Sequence, residues 1–144
     1  MRYQTRQVLD LADITGDTLR HWKKQLPPIA KVDGRSLQYT PSQLVCICAI
    51  ASAVSGLGIP ISRFSAEAET LFDTIERYTT ERRQNLSLLV TPSKITFVRD
   101  ADQIEEATCV LVRLDPIWER IQNALLEADP QDVTQTALPF DSVR

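Results

Sequence analysis

A stretch of eighteen residues from Leu44 to Ile61 holds almost only apolar and small side chains, and it narrows what the chain can fold into. Thr40-Pro41-Ser42-Gln43 before it is typical of a helix start, because threonine caps, proline suits the first helical position and glutamine completes a capping box. Gly56-Leu57-Gly58 predicts the end of this helix. A membrane span needs roughly 20 predominantly apolar residues, and serine, glycine and proline interrupt this stretch. We therefore expect a buried central helix from Ser42 to about Ser55.

The charge of the chain is unevenly distributed. The 144 residues include 16 lysines and arginines and 19 acidic residues, a net charge of −3, and 43% are hydrophobic, which is typical of a soluble globular protein. Residues 1–44 carry seven basic and four acidic side chains, whereas residues 45–144 carry nine basic and fifteen acidic ones. A basic head on an acidic body favours a polyanionic partner at the head, and two solvated surfaces of different sign are the alternative.

The beginning of the chain predicts two short helices joined by a tight turn. Thr5 is the candidate N-cap of the first helix and Thr15 that of the second, with Asp13-Ile14 between them. Leu26-Pro27-Pro28 ends the second helix at about Gln25, because proline lacks the N–H that a helix interior needs. Two short helices across such a turn are the outline of a helix-turn-helix.

The two sides of the second helix differ in chemistry. At about 100° per residue, Leu19 and Trp22 share one side and can anchor the helix on an apolar core. The opposite side collects Asp17, Arg20, His21 and Lys24. A short helix with donors on its free side and an apolar anchor behind suits the major groove, where arginine pairs with guanine. Any exposed helix can carry such a charged side, so an ordinary solvated surface is the alternative.

Residues 29–39 predict a small hairpin before the central helix. Its strands are Ala30–Val32 and Ser36–Tyr39, and Asp33-Gly34 between them suits the positive φ angles of a tight turn. After the central helix, Pro60 is expected to open a further helix, with apolar residues at spacings of three or four as far as Ile75.

From Leu86 onward the hydrophobic period changes from that of a helix to that of a strand. Three strand-like runs follow, and Asp115-Pro116 then begins a last helix that Asp129-Pro130 is expected to end. The runs are Leu86–Val90, Lys94–Val98 and Ala107–Val112. Helices first and strands later predict an α+β fold. The expected divisions are a head over residues 1–75, a small strand-rich α/β module of helix, antiparallel strands and terminal helix over residues 76–128, and a mobile tail over residues 129–144.

The segment from Gln7 to Trp22 resembles the helix-turn-helix of the MerR family of DNA-binding regulators. The second helix of that family carries threonine, leucine and arginine followed by an aromatic pair, which Thr18-Leu19-Arg20 and His21-Trp22 match. The family's wing tip, third-helix start and leucine-glycine stop correspond to Asp33-Gly34, Tyr39-Thr40-Pro41 and Leu57-Gly58. The resemblance covers about residues 3–72 and implies a winged helix-turn-helix head of four helices and a β-wing.

The resemblance, together with the charged side of the second helix, predicts a surface for double-stranded DNA. Its members are Thr15, Asp17, Thr18, Arg20, His21, Lys24, Lys31, Arg35 and Arg63. Arg20 and His21 would contact DNA from the recognition helix, and the hairpin would contact backbone phosphates as a wing. Arg63, at the start of the fourth helix, would act as part of a second wing.

The sequence departs from the family at three places. Asp13 stands where the family has a glycine in the turn, and Leu37 stands where the wing has an arginine. A shorter helix from Leu71 to about Asn85 and a strand-rich end replace the family's long dimer-forming helix. The resemblance therefore implies the head but not the family's dimer geometry.

These observations predict a sequence-specific DNA-binding transcriptional regulator, and a homodimer because one small head buries too little surface for tight specific binding. An architectural or excisionase-like DNA-binding accessory protein and a protein-interaction adaptor are the alternatives. RNA polymerase or another regulator is a further candidate partner, and no membrane contact is expected. The apolar side of the last helix is a candidate core, dimer seam or pocket wall; its residues are Ile117, Trp118, Ile121 and Leu125.

Other chemistries find little support in the sequence. Cys46 and Cys48 lie about 200° apart on a helix and cannot hold one metal ion from the same face. With Cys109 on a predicted strand, the cysteines are expected to be buried small hydrophobic residues. No phosphate loop or nucleophile–base arrangement is visible, so we predict neither an enzyme nor a cofactor or metal. The odd number of cysteines, and Met1–Thr5 without a signal-peptide core, favour a cytoplasmic, nucleoid-associated protein.

Overall fold

The computed structural model describes residues 2–32, 39–78, 84–99 and 104–137, with side chains as far as Leu126. This part of the chain forms six α-helices and a small antiparallel sheet. The helices are α1 (Thr5–Ala12), α2 (Gly16–Gln25), α3 (Pro41–Leu57), α4 (Ser62–Ser65), α5 (Ala68–Arg77) and α6 (Leu114–Ala137), and the strands are β1 (Ser87–Val90), β2 (Ile95–Val98) and β3 (Val110–Arg113). A short 3-10 helix, Pro27–Ile29, follows α2. The α+β class predicted from the sequence is confirmed.

Helix α3 occupies the centre of the core, as the apolar stretch predicts. Ten of its residues are buried, and α1, α5, α6 and β3 pack against it. Thr40 caps its start: the N–H of Gln43 donates to Thr40 Oγ1 at 3.1 Å, and the N–H of Thr40 donates to Gln43 Oε1 at 2.9 Å. Gly58 ends the helix at a φ of 75°, which glycine adopts without a Cβ penalty.

The cap of α3 gives a first testable prediction. Thr40→Ala removes the oxygen that accepts the N–H of Gln43, so we expect the free energy of unfolding to fall by about 0.5–2 kcal/mol. Ser62→Ala, at an exposed position at the start of α4, is the control and should change it by less than about 0.5 kcal/mol. Urea unfolding of the two variants measures both values, and equal losses would contradict the role given to Thr40.

The sheet has the order β2-β1-β3, with β1 antiparallel to both neighbours. The last residue of β1, Val90, lies opposite Ile95 on one side and Val110 on the other. One face of the sheet, including Leu88 and Phe97, joins the same hydrophobic core as the helices. The three predicted strands are therefore confirmed, each shorter than the sequence pattern suggests.

The cysteines separate into two kinds. Cys46 and Cys48 are buried in α3, which confirms their prediction as small hydrophobic residues, whereas Cys109 is exposed. The prediction that Cys109 lies buried on a strand was wrong. Because β1 contributes only four residues and its pairing with β3 stops at Val110, the chain before Val110 lies beyond the paired register.

The buried thiols make stability depend on alkaline pH. Burial raises the pKa of Cys48 from its ordinary value of 9.0 to about 11, and the nearby positive charge of Arg120 opposes that rise. Burial also raises the pKa of Cys46. A thiol in the unfolded chain ionises near pH 9, whereas the buried thiols of the folded protein stay protonated. Ionisation therefore favours the unfolded chain above pH 9: the free energy of unfolding is at its full value below that pH and falls as the pH rises toward 11. We expect the double variant Cys46→Ala/Cys48→Ala to lose less free energy of unfolding than the wild type between pH 9 and 11. Denaturant titrations at both pH values measure this, and identical losses would contradict it.

Helices α4 and α5 replace the single helix predicted from Pro60 to Ile75, and that prediction was wrong. Between them the N–H of Glu67 donates to the carbonyl of Phe64 at 3.2 Å, an i to i−3 bond that interrupts the α-helical ladder. The apolar side predicted for this segment is nevertheless buried: Phe64, Ala68, Leu71, Phe72 and Ile75.

The chain leaves the helical region earlier than predicted. The helix expected from Leu71 to about Asn85 ends at Arg77, so its predicted end was wrong. Asn85 has a φ of 63°, outside a right-handed helix. The N–H of Asn85 donates to the carboxylate of Asp115, and the N–H of Leu114 donates to the carbonyl of Leu86 at 3.0 Å, so the start of α6 lies beside the start of β1.

Helix α6 is longer than predicted. The stop expected at Asp129-Pro130 was wrong, because the helix continues through Pro130 to Ala137. The fixed φ of proline is compatible with a helix, and its missing N–H removes one backbone bond without necessarily ending the element. The tail predicted over residues 129–144 thus begins inside α6, and residues 138–144 lie outside the described part of the chain.

The first strand of the predicted hairpin was also wrong. Ala30–Val32 forms a turn after the 3-10 helix, in which the N–H of Val32 donates to the carbonyl of Ile29 at 3.2 Å. Tyr39 pairs instead with Tyr3 in a short antiparallel bridge, with N–H to carbonyl distances of 2.8 and 3.1 Å. The predicted tip, Asp33-Gly34, lies outside the described residues.

The same bridge decides where α1 begins. Because Tyr3 is held extended by Tyr39, the residue that leads into the helix is Gln4, whose N–H donates to Gln7 Oε1 at 2.8 Å. The prediction of Thr5 as the N-cap was therefore wrong by one position.

Two arginines connect the N-terminal helices to the C-terminal half, across the boundary predicted near residue 75. Arg63 Nη2 donates to the carbonyl of Thr91 at 2.7 Å, and Arg120 Nη2 donates to the carbonyl of Leu11 at 3.0 Å. Buried residues from both halves form one continuous hydrophobic cluster. None of the helices described is both long and apolar enough to cross a membrane.

Candidate nucleic-acid interface

The turn between α1 and α2 depends on Asp13. This residue has a φ of 57° and a ψ of 51°, the left-handed conformation that glycine, asparagine and aspartate adopt most readily among the amino acids. The N–H groups of Asp13 and Ile14 both donate to the carbonyl of Leu9. Asp13 therefore supplies the same turn that a glycine would give at this position.

The inner side of α2 is anchored as the sequence predicts. Thr15 caps the helix, because its Oγ1 accepts the N–H of Thr18 at 3.1 Å. Leu19 and Trp22 are each only 2% exposed and belong to the central core. The helix is thus held from behind, and the direction of its opposite side is fixed by packing.

The outer side of α2 presents the predicted polar residues to solvent. Asp17, Arg20, His21 and Lys24 are all exposed. Arg20 Nη1 lies 2.8 Å from Asp17 Oδ1, and both side chains are largely solvent-accessible, at 71% for Arg20 and 87% for Asp17. A surface ion pair of this kind contributes little to stability, so the guanidinium can exchange the carboxylate for another acceptor at low cost. Thr15 is exposed and Thr18 half-buried at the start of the same side.

Lys23, which the sequence analysis did not single out, has a structural position that its neighbour Lys24 lacks. Lys23 Nζ donates to the carbonyl of Val32 at 2.7 Å and lies 6.0 Å from the centre of the Tyr39 ring. Lys23 therefore connects α2 both to Val32, after the 3-10 helix, and to Tyr39, before α3. In the sequence, the two lysines differ only in their position around the helix axis, about 100° apart.

The adjacent lysines should therefore respond differently to the same change. Lys23→Met loses a charged hydrogen bond in a half-buried setting, so we expect the free energy of unfolding to fall by about 1–2 kcal/mol. Lys24→Met should leave it within about 0.5 kcal/mol, weaken binding to duplexes of every sequence alike, and reduce the slope of log affinity against log salt by about one. Thermal unfolding measures the stability of both variants, and salt titrations measure their DNA binding. Equal losses of stability would contradict the structural role given to Lys23.

The remaining predicted DNA contacts lie at different depths. Lys31 is exposed in the turn after the 3-10 helix, and Arg35 lies outside the described residues. Arg63 is half-buried at the start of α4, where its bond to Thr91 holds it against the turn between β1 and β2. Lys31 is thus exposed to solvent, as the polar residues of α2 are, whereas Arg63 connects the head to the sheet.

The residues predicted for a dimer seam lie mainly inside the single chain. Ile117, Trp118 and Ile121 are buried in the common core, and Leu125 is half-buried against it. Leu126, the next residue on α6, is 65% exposed. Among the α6 residues whose side chains are described, Leu126 is therefore the exposed large apolar one, and Leu125 is partly exposed beside it.

Comparison with known families identifies the N-terminal part. Residues 3–69 match the model of the MerR HTH family regulatory proteins. The head is a MerR-like helix-turn-helix. The match extends from the Tyr3 bridge to the start of α5, and so includes the capped and anchored helix α2. Neither the curated proteins nor the solved structures that were compared gave a match to the chain.

The match to this family supports double-stranded DNA as the partner of the head and a role as a DNA-binding transcriptional regulator. Proteins of that family regulate transcription and are not enzymes. The resemblance inferred from Thr18-Leu19-Arg20 and Tyr39-Thr40-Pro41 is therefore confirmed. The C-terminal sheet and α6 lie outside the matched residues.

Proposed function

We propose that the protein is a sequence-specific transcriptional regulator that reads the major groove with the outer side of α2 and acts as a homodimer in the cytoplasm, on the nucleoid. The main support for this proposal is that α2 has one buried apolar side and one exposed side with hydrogen-bond donors. Leu19 and Trp22 are buried behind α2, while Arg20, His21 and Lys24 are exposed in front of it. A recognition helix needs that combination of a rigid anchor and free donors.

Each exposed residue of α2 has a distinct role in this proposal. Arg20 donates two hydrogen bonds to a guanine, and His21 donates to or accepts from a neighbouring base edge. Asp17 orients Arg20 through their 2.8 Å ion pair until DNA binds. Lys24 contacts a phosphate. The hydroxyls of Thr15 and Thr18, at the N-terminus of α2, face the DNA backbone in this proposal.

Phosphate contacts from outside α2 complete the proposed surface. Lys31 and Arg35 would reach the backbone from the region after the 3-10 helix, and Arg63 would add a contact from α4. Residues 1–44 have a net charge of +3, which favours approach to a polyanion over the acidic remainder of the chain. These contacts position the head and carry no base preference of their own.

The proposed dimer uses α6. A single small head buries too little surface for tight specific binding, so two heads on two half-sites are expected. Ile117, Trp118 and Ile121 support the helix from within the core, and Leu125 and Leu126 offer its outward apolar surface to a second copy. Such a dimer would then act on RNA polymerase or on another regulator.

Selection of duplexes from random DNA, combined with a mass measurement in solution, tests the proposal. We expect a palindromic motif with half-sites about one helical turn apart, roughly 10 base pairs or a multiple of it, and a mass twice the 16.2 kDa of the chain. Cooperative binding without an enriched motif would favour an architectural, excisionase-like DNA-binding protein instead. No binding to any duplex would favour a protein-interaction adaptor.

A further inference from the structure

A cleft of about 220 Å³ lies at the end of the sheet where β1 begins. None of the residues that line it belongs to the proposed DNA surface. Two arginines line it, Arg99 just after β2 and Arg113 at the end of β3. We propose that this cleft binds a small organic anion, a molecule with carboxylate or phosphate groups on a compact carbon frame. This inference does not depend on DNA binding.

The sheet register places the two arginines at the same end of the sheet. Ser87, the first residue of β1, lies opposite Val98 on β2 and opposite Arg113 on β3. Arg99 follows Val98 directly, so both arginines flank the start of the central strand. Neighbouring strands are about 4.8 Å apart, and the two arginines therefore project from backbones roughly 10 Å apart.

The charges that line the cleft favour an anion. Among its lining residues, Arg99 and Arg113 are cationic and Asp115 is the acidic one. The carboxylate of Asp115 already accepts the N–H of Asn85, at 3.2 Å to Oδ2 and 3.3 Å to Oδ1. The lining thus carries two cationic side chains and one carboxylate, a balance that attracts an anion.

The cleft is also held in a defined shape. The guanidinium carbon of Arg99 lies 5.2 Å from the centre of the Tyr78 ring, which orients its donors. Asn85 has a φ of 63°, an uncommon conformation fixed here by the bond to Asp115. Donors that are already in place lose less conformational entropy when a ligand binds.

The walls of the cleft select the size and kind of anion. Its volume is below the roughly 300–1,000 Å³ of pockets for drug-sized ligands, so the ligand must be small. Leu111, which is 38% exposed, forms an apolar wall next to the hydroxyl-bearing Ser87. The planar guanidinium groups of the two arginines match carboxylate and phosphate oxygens. The apolar side chain of Leu111 favours a ligand that also has a hydrocarbon part.

Calorimetric titration with citrate and with inorganic phosphate tests the inference in the full chain. We expect the wild type to bind citrate saturably and more tightly than phosphate. Arg113→Gln should weaken citrate binding at least tenfold, and Arg113→Lys, which keeps the charge but loses the fork, should fall between. Arg77→Gln removes an exposed arginine from the end of α5, outside the cleft, and should change the affinity by less than twofold.

Three outcomes would overturn the inference. The first is a wild type that does not bind citrate, and the second is an equal loss for Arg113→Gln and Arg77→Gln, which would show only general attraction to a cation-bearing surface. The third is a loss of duplex binding by Arg113→Gln as large as its loss of citrate binding, which would assign the cleft to a DNA phosphate. Circular dichroism of each variant shows that it is folded, and Arg99→Gln provides a second variant should Arg113→Gln fail that check.

Discussion

Arg20→Ala is expected to weaken binding to the preferred duplex by about 1–3 kcal/mol, which is roughly 5- to 150-fold, and to relax base choice at the position that Arg20 reads. The side chain is 71% exposed on the outer side of α2, and its ion pair with Asp17 is equally open to solvent. Little stability is therefore lost with the guanidinium, and the effect falls on DNA binding. Gel-shift titrations of the preferred duplex and of single-base variants measure both the affinity and the discrimination.

Two control variants separate recognition by Arg20 from its contact with Asp17. Asp17→Asn removes the ion pair and one negative charge from the same surface, so it should leave duplex binding unchanged or strengthen it. Arg77→Ala removes an exposed arginine far along the chain on α5 and should have little effect. An Arg20→Ala variant that binds the preferred duplex as tightly as Arg77→Ala does would disprove the assignment of α2 as the recognition helix.

Trp22→Ala is expected to cause the largest loss of stability among the variants of α2. The indole is 2% exposed and fills the core behind α2, and its removal leaves a cavity that the surrounding side chains fill only partly. Such truncations destabilise by about 3–5 kcal/mol, which for a chain of this size lowers the melting temperature by roughly 6–20 °C. DNA binding should fall as well, because α2 loses the packing that fixes its orientation.

The neighbouring residue supplies the matched control for Trp22. His21→Ala changes an exposed side chain on the same turn and should alter the free energy of unfolding by less than about 0.5 kcal/mol, while still weakening DNA binding. Calorimetric melting of the two variants makes the comparison. Similar melting temperatures for Trp22→Ala and His21→Ala would contradict the packing described for α2.

The parts of the fold that the sequence predicts correctly are those governed by local chemistry. The caps at Thr15 and Thr40 use a hydroxyl and an N–H three residues apart, so the pattern contains both partners. The burial of Leu19 and Trp22 follows from the helical period alone. Helix α2 and the exposure of its outer side were predictable for these reasons.

Other features depend on partners that are distant in the sequence. The start of α1 is set by the pairing of Tyr3 with Tyr39, and the turn at Asn85 is set by Asp115. Neither partner can be read from the residues around the position it controls. The exposure of Cys109 has the same origin, because the length of β1 decides where pairing with β3 stops.

The candidate site shows the same division between local and distant causes. The exposed residues of α2 are a property of one helix, whereas the role of Lys23 depends on where the chain returns at Val32 and Tyr39. The cleft between Arg99 and Arg113 exists only because β2 and β3 both pair with β1. A pattern along the chain does not reveal which strands become neighbours.

Amide chemical-shift mapping of the isotope-labelled protein, titrated with a selected duplex, tests the central claim most directly, because it shows which residues face DNA. We expect the largest changes along the outer side of α2, from Thr15 to Lys24, and at Lys31. The sheet around Ser87 and the cleft at Arg113 should change little. Changes concentrated on the sheet or on α6, with α2 unaffected, would contradict the claim that this helix reads DNA.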